Sequence, residues 1–194
     1  MTSDAVLPSA RRTAVRRRAG PARRARRAAP SPGWRLSPWA VTTYLLGGEL
    51  PDGSRIAPKY VGPRRLMEVA VATLATDRAL LLLGVPGTAK TWVSEHLAAA
   101  VSGDSTLLVQ GTAARRGGHP VRVELRAAAR RGPVGEALVE SPLMRAMRTG
   151  AVARIEELTR MPSDVQDSLI TILSEKTLPV PELGTEVQAV KASP

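Results

Sequence analysis

The stretch LLLLGVPGTAKTW, Leu80 to Trp92, constrains the fold of this chain more than any other part of it. Ala79 to Leu83 is a short unbroken apolar run, the pattern of a strand covered on both faces. Gly84 and Gly87 end that run, and Lys90 to Ser102 then carry Val93, Leu97, Ala100 and Val101 at helical spacing. A strand, a glycine turn and a helix in that order aim successive backbone N–H groups and a helix N-terminus at one spot, which favours an anion.

The spacing fits G-x-x-x-x-G-K-[ST], except that Ala89 stands where glycine is usual. In that pattern Gly84, Val85, Pro86, Gly87, Thr88 and Ala89 cradle phosphates. Lys90 reaches the β- and γ-phosphates, and the Thr91 hydroxyl sits on Mg²⁺, so ATP and Mg²⁺ are the expected cofactors. Alanine adds only a Cβ and is expected to fit if its φ is negative. The bland alternative is a Gly-Pro turn between strand and helix, with Lys90 merely solvated.

Ser105 to Val109 reads as a second buried strand, which predicts a βαβ unit. Before the loop, Leu66, Val69, Ala70, Thr73 and Leu74 predict an amphipathic helix over Arg64 to Ala75. Order is expected to begin near Trp34, with Trp34, Leu36, Trp39, Val41, Tyr44 and Leu45 available to pack and PDGS supplying a turn. Downstream, Ser141 to Arg148 reads as a short helix and Ala151 to Ile155 as a strand. MPSD opens a helix with Val165, Leu169, Ile172 and Leu173 on one face, and TLPVPELG with EVQAV form a closing extended pair.

Composition narrows the classes. With 194 residues and 43% hydrophobic content, one core is the default, built from Leu, Val, Ile and Ala because there is no Phe. The absence of cysteine excludes disulfides and thiolate metal sites, and with only His96 and His119 a histidine site is not expected. These features predict a reducing, cytoplasmic setting, and no apolar run is long enough for a membrane span.

The net charge of +11 invites a nucleic-acid reading, but it is unevenly placed. Residues 1–32 hold nine Arg and one acid, residues 112–135 hold six Arg and one acid, and the remainder has 13 basic against 15 acidic residues. Residues 1–32 are low-complexity Arg, Ala and Pro and are expected to be disordered. Nucleic-acid binding through that tail is the rival function, although no reading motif and no stacking aromatic supports it.

The proline before Gly87 and the alanine before Lys90 make GVPGTAKT resemble the MoxR-type branch of the AAA+ ATPases. SPLMRAMRTGAVARIEELTRMPSDVQDSLITILSEKTLPVPELG resembles the same branch from a short helix through the Walker B strand to the next helix. The likeness covers roughly Trp34 to Val190, with one gap. It implies an α/β fold, a three-layer P-loop NTPase core with a parallel sheet, here incomplete, over residues 33–190, followed by a tail at 191–194. It places Ile155, Glu156, Glu157 and Leu158 at the Walker B signature, with Glu157 polarising the attacking water and Glu156 in place of the Asp that holds the Mg²⁺ shell. Tyr60, Val61 and Gly62 fall where such proteins place residues beside adenine; a plain loop before a helix is the alternative. Arg154, in mid-strand, is expected to reach a cleft or a neighbouring subunit, or to snorkel to the surface.

The resemblance further implies a ring of subunits, a protein client or adaptor, and ATP hydrolysis coupled to remodelling or maturation of that client. The chain stops before the sensor 1 strand, the arginine finger and the helical lid of such enzymes, so its hydrolysis is expected to be impaired.

Residues 113–133, AARRGGHPVRVELRAAARRGP, replace the amphipathic helix of the family with no clean period. One codon choice for Arg116 to Gly132, read one base later, encodes EEAIRYGWNYARLLAEG, a sensible amphipathic helix. Paired compensating frameshifts, with the frame resumed by about Glu136, are therefore expected, and codons incompatible with that frame would end the idea. One added base after the Lys191 codon likewise yields a Lys-Gly-Phe start like the family's continuation. Residues 1–32 are read either as a basic tail or as an off-frame or upstream extension, and a non-functional gene remnant is the third reading.

Overall fold

A computed structural model describes residues 33–50, 52–76, 78–111, 136–180 and 185–190, together with 124–127; residues 124–127 and 136–139 are described as backbone. The expectations for residues 1–32, for most of 113–133 and for 191–194 lie outside the described residues. The chain forms two compact units, Met1–Thr106 with Ala192–Pro194, and Leu107–Lys191.

The first unit opens with helix α1, Pro38–Leu46. Ser37 caps it, its hydroxyl accepting from the Ala40 N–H at 3.2 Å, and Pro38 occupies the first turn, where a missing N–H costs nothing. Strands β1, Gly48–Glu49, and β2, Arg55–Ile56, make a short antiparallel pair around the expected turn, where Asp52 Oδ1 accepts from the Ser54 N–H at 3.0 Å. Helix α2, Arg64–Ala75, and helix α3, Lys90–Ser102, have the bounds that the spacing predicts.

Helix α1 packs against both α2 and α3. Its Val41, Tyr44 and Leu45 are fully buried with Ala98 and Ala100 of α3. Helix α3 is buried around most of its circumference, from Glu95 through Val101. The buried face of α2 is Met67, Ala70 and Val71, a correction to the expected stripe, because Leu66 and Val69 are exposed. Periodicity identified the helix, and packing onto α1 selected a face turned by about one residue.

A second correction concerns Ala79 to Leu83. These residues form no strand, and Leu81 and Leu83 are 65% and 83% exposed. The apolar run has the composition of a buried strand but neither its burial nor its hydrogen bonds, since β1 and β2 are the sole ladder among the described residues of this unit.

In the second unit, β3, Leu108–Gln110, pairs in parallel with β6, Arg154–Glu156, in the register Leu108 to Arg154, Val109 to Ile155 and Gln110 to Glu156. Strands β4, Glu124–Ala127, and β5, Glu136–Val139, form an antiparallel pair. Helix α4, Pro142–Thr149, is capped by Ser141 at 3.1 Å, and helix α5, Ser163–Glu175, follows. Strands β7, Thr177–Val180, and β8, Thr185–Gln188, are the expected closing pair, antiparallel.

Val109, Leu143, Met144, Met147, Met161, Val165, Leu169, Ile172, Leu178 and Val180 form the core of this unit. Ile155 packs on its margin, which fixes one face of β6 towards the core and leaves Arg154 and Glu156 on the other. Among the described residues no helix is long and apolar enough to cross a membrane.

Candidate functional site

The expected site residues fall into two groups, one in each unit. In the first, the chain from Gly84 to Lys90 forms a loop that closes on its own lysine. Lys90 Nζ donates to the carbonyls of Gly84 at 2.9 Å and Val85 at 2.7 Å, and lies 3.3 Å from Thr88 Oγ1. Thr88 Oγ1 in turn donates to the Val85 carbonyl at 2.8 Å. Gly87 takes φ 85°, which a side chain rarely tolerates.

Ala89 corrects the expectation of a negative φ: it sits at φ 59°, ψ 24°, the left-handed region. That conformation costs an alanine roughly 1–2 kcal/mol. The loop needs the turn because α3 begins at the next residue, and Ala89 is its N-cap. A methyl group cannot accept a hydrogen bond, so no side chain caps the N-terminus of α3, and no acid lies in its first turn.

The cradle therefore has an ammonium held only by neutral oxygens and a helix N-terminus with no side-chain acceptor. Both favour a phosphate. Thr91 is exposed at the start of α3, and its hydroxyl makes no hydrogen bond among the described residues.

Tyr60, Val61 and Gly62 lie in the same unit, between β2 and α2. The N–H groups of Lys59 and Tyr60 both donate to the Leu45 carbonyl, at 2.8 and 3.0 Å, which ties this loop to the end of α1. Val61 is 91% exposed, and a Cβ on Gly62 would collide with the Tyr60 ring.

The acidic group lies in the second unit. Arg154 is 5% exposed and its Nη2 donates to Glu156 Oε1, two residues along the same strand face. This corrects the expectation that Arg154 snorkels to the surface. A buried guanidinium needs an acceptor, and the i, i+2 geometry of a strand supplies Glu156. One carboxylate oxygen of Glu156, the residue expected at the metal shell, is thus engaged by Arg154.

Glu157 leaves the strand at φ 57°, ψ 42°, opening a short 3₁₀ turn, Leu158–Arg160. Its Oε1 is 3.7 Å from Arg160 Nη1, and both side chains reach solvent. Such contacts are weak, so the carboxylate remains available.

Sequence reasoning missed Gly111. Its N–H donates to the Glu156 carbonyl at 2.9 Å, and a Cβ there would strike the Glu157 carbonyl and come within 3.2 Å of Met161 Cγ. A glycine directly after a buried strand was the available signal.

Residues 79–193 match the AAA domain of the dynein-related subfamily. The chain is also 42% identical over 166 residues to the uncharacterized protein YehL of Escherichia coli strain K12, an alignment covering 83% of this chain and 44% of that protein. The chain thus spans less than half the length of the curated relative it matches. No solved structure matches it. The fold is accordingly the α/β fold of a P-loop NTPase. The match includes the loop from Gly84 to Lys90, α3 and the strand end bearing Glu156 and Glu157: the chain belongs to the AAA domain family, dynein-related subfamily.

Proposed function

We propose that this chain is the nucleotide-binding part of a MoxR-type AAA+ ATPase that couples ATP hydrolysis to remodelling or maturation of a protein client, working in a ring with copies of itself. The observation that carries the reading is the loop from Gly84 to Lys90, whose ammonium is satisfied only by neutral oxygens beside a helix with no side-chain cap. A triphosphate supplies the charge that these donors lack. Lys90 would bind its terminal phosphates, and Thr91 would hold the Mg²⁺ that accompanies them.

Glu157, exposed and weakly paired, is the group suited to orient and polarise water. Glu156 works against turnover, because Arg154 neutralises it. Hydrolysis by this chain is therefore slow, while nucleotide binding persists.

Equilibrium titration of the purified chain with a fluorescent ATP analogue tests this. Lys90→Ala is expected to weaken binding by at least about tenfold, the cost of a charge-assisted contact. Equal affinity in the two proteins would overturn the assignment, and so would salt-sensitive DNA binding that disappears with residues 1–32 and accounts for all ligand binding.

A further inference from the structure

Trp92 follows Thr91 directly, and its indole joins two parts of the first unit that lie far apart in sequence. Nε1 donates to the Lys59 carbonyl at 2.9 Å, across 33 residues. Lys59 is the residue before Tyr60, and the backbone N–H groups of both are held by the Leu45 carbonyl. The loop from Lys59 to Gly62 is thus fixed from one side by α1 and from the other by the first turn of α3.

The indole itself is well anchored. Its ring meets His96, one turn further along α3, edge to face at 4.4 Å. His96 is fully buried, and the Tyr44 hydroxyl lies 2.7 Å from its Nδ1. Beyond Lys59, the loop offers a 91% exposed Val61 and a glycine that carries no side chain, with the Tyr60 ring packed beside it. The solvent-facing apolar group of this loop is therefore Val61, because the Tyr60 ring already occupies the space beside Gly62.

We propose that Trp92 is a positioning residue that sets the distance between the phosphate loop and the loop Tyr60–Gly62, so that one nucleotide engages both. The inference rests on the nucleotide reading above and deepens it. Trp92 touches no phosphate; it holds the base-side loop in register with the helix that does. Its indole N–H therefore determines the preference for a nucleoside triphosphate over a bare triphosphate.

The test compares ATP with inorganic tripolyphosphate on the full chain, by calorimetric titration. Trp92→Phe keeps an aromatic ring against His96 and removes the N–H donor. It is expected to weaken ATP about tenfold, the scale of one lost hydrogen bond, while tripolyphosphate affinity stays within about twofold. Lys90→Ala weakens both ligands. Equal weakening of both ligands by Trp92→Phe, or no change in either, overturns the role of Trp92 while leaving the nucleotide reading intact. Failure of the wild-type chain to bind either ligand overturns both readings.

A measurement on the wild-type protein guards against a variant that fails to fold. Hydrogen exchange of the Trp92 indole N–H is expected to slow by at least about fivefold with ATP and to remain unchanged with tripolyphosphate. The same rate under both ligands overturns the proposal.

Discussion

Two residues without glycine's freedom take left-handed backbone beside the proposed chemistry, Ala89 at the phosphate loop and Glu157 after the acidic strand. Each conformation costs roughly 1–2 kcal/mol and persists only where the surroundings impose it. For Glu157 the imposing neighbour is Gly111, whose N–H takes the Glu156 carbonyl and whose missing side chain admits the Glu157 carbonyl. Gly111→Ala is therefore expected to destabilise the second unit by about 1–3 kcal/mol, the cost of forcing a methyl into filled space. Urea unfolding measures it. Full stability of the variant would mean that the Glu157 turn does not rest on Gly111.

At the scale of the element, β6 divides its residues between two environments, Ile155 at the core and Arg154 with Glu156 on the opposite face. The side chain of Arg154 is 4% exposed and that of Glu156 18%, so the pair is largely desolvated. Removing one partner of such a pair strands the other, and Arg154→Met is expected to cost about 3 kcal/mol in a urea titration. The double variant Arg154→Met with Glu156→Leu should recover most of that loss; a double variant no more stable than the single one would show that the pairing is not what matters. The elements most legible in the sequence were those governed by local rules. The bounds of α2 and α3 follow from periodicity, and the β7–β8 pair follows from the short extended segments around Pro181 to Gly184. What the sequence concealed was the pairing of side chains. The i, i+2 rule makes Arg154 and Glu156 neighbours, yet a lone arginine in an apolar strand first suggests an outside partner. The Trp92 contact with Lys59, 33 residues away, has no sequence signature.

For the whole molecule, the consequence is an uneven distribution of stability across its two units. In the first, buried residues concentrate where α1 meets α3, at Val41, Tyr44, Leu45 and Leu97 to Val101. In the second, they concentrate between the β3–β6 pair and the helices α4 and α5. Ala79 to Val85 belongs to neither concentration: Leu81, Leu83 and Val85 are exposed, and no ladder holds the backbone among the described residues. Amide exchange follows local opening, and a segment without ladder bonds opens at little cost. Native-state exchange is therefore expected to show protection at Leu97 to Val101 and at Leu169 to Ile172 that exceeds that of Leu80 to Leu83 by at least about a hundredfold. Addition of ATP should slow exchange at Gly87 to Thr91, where the loop closes on phosphate, and leave Leu80 to Leu83 fast. Protection of Leu80 to Leu83 equal to that of α3 would mean that the apolar run is a paired strand in solution.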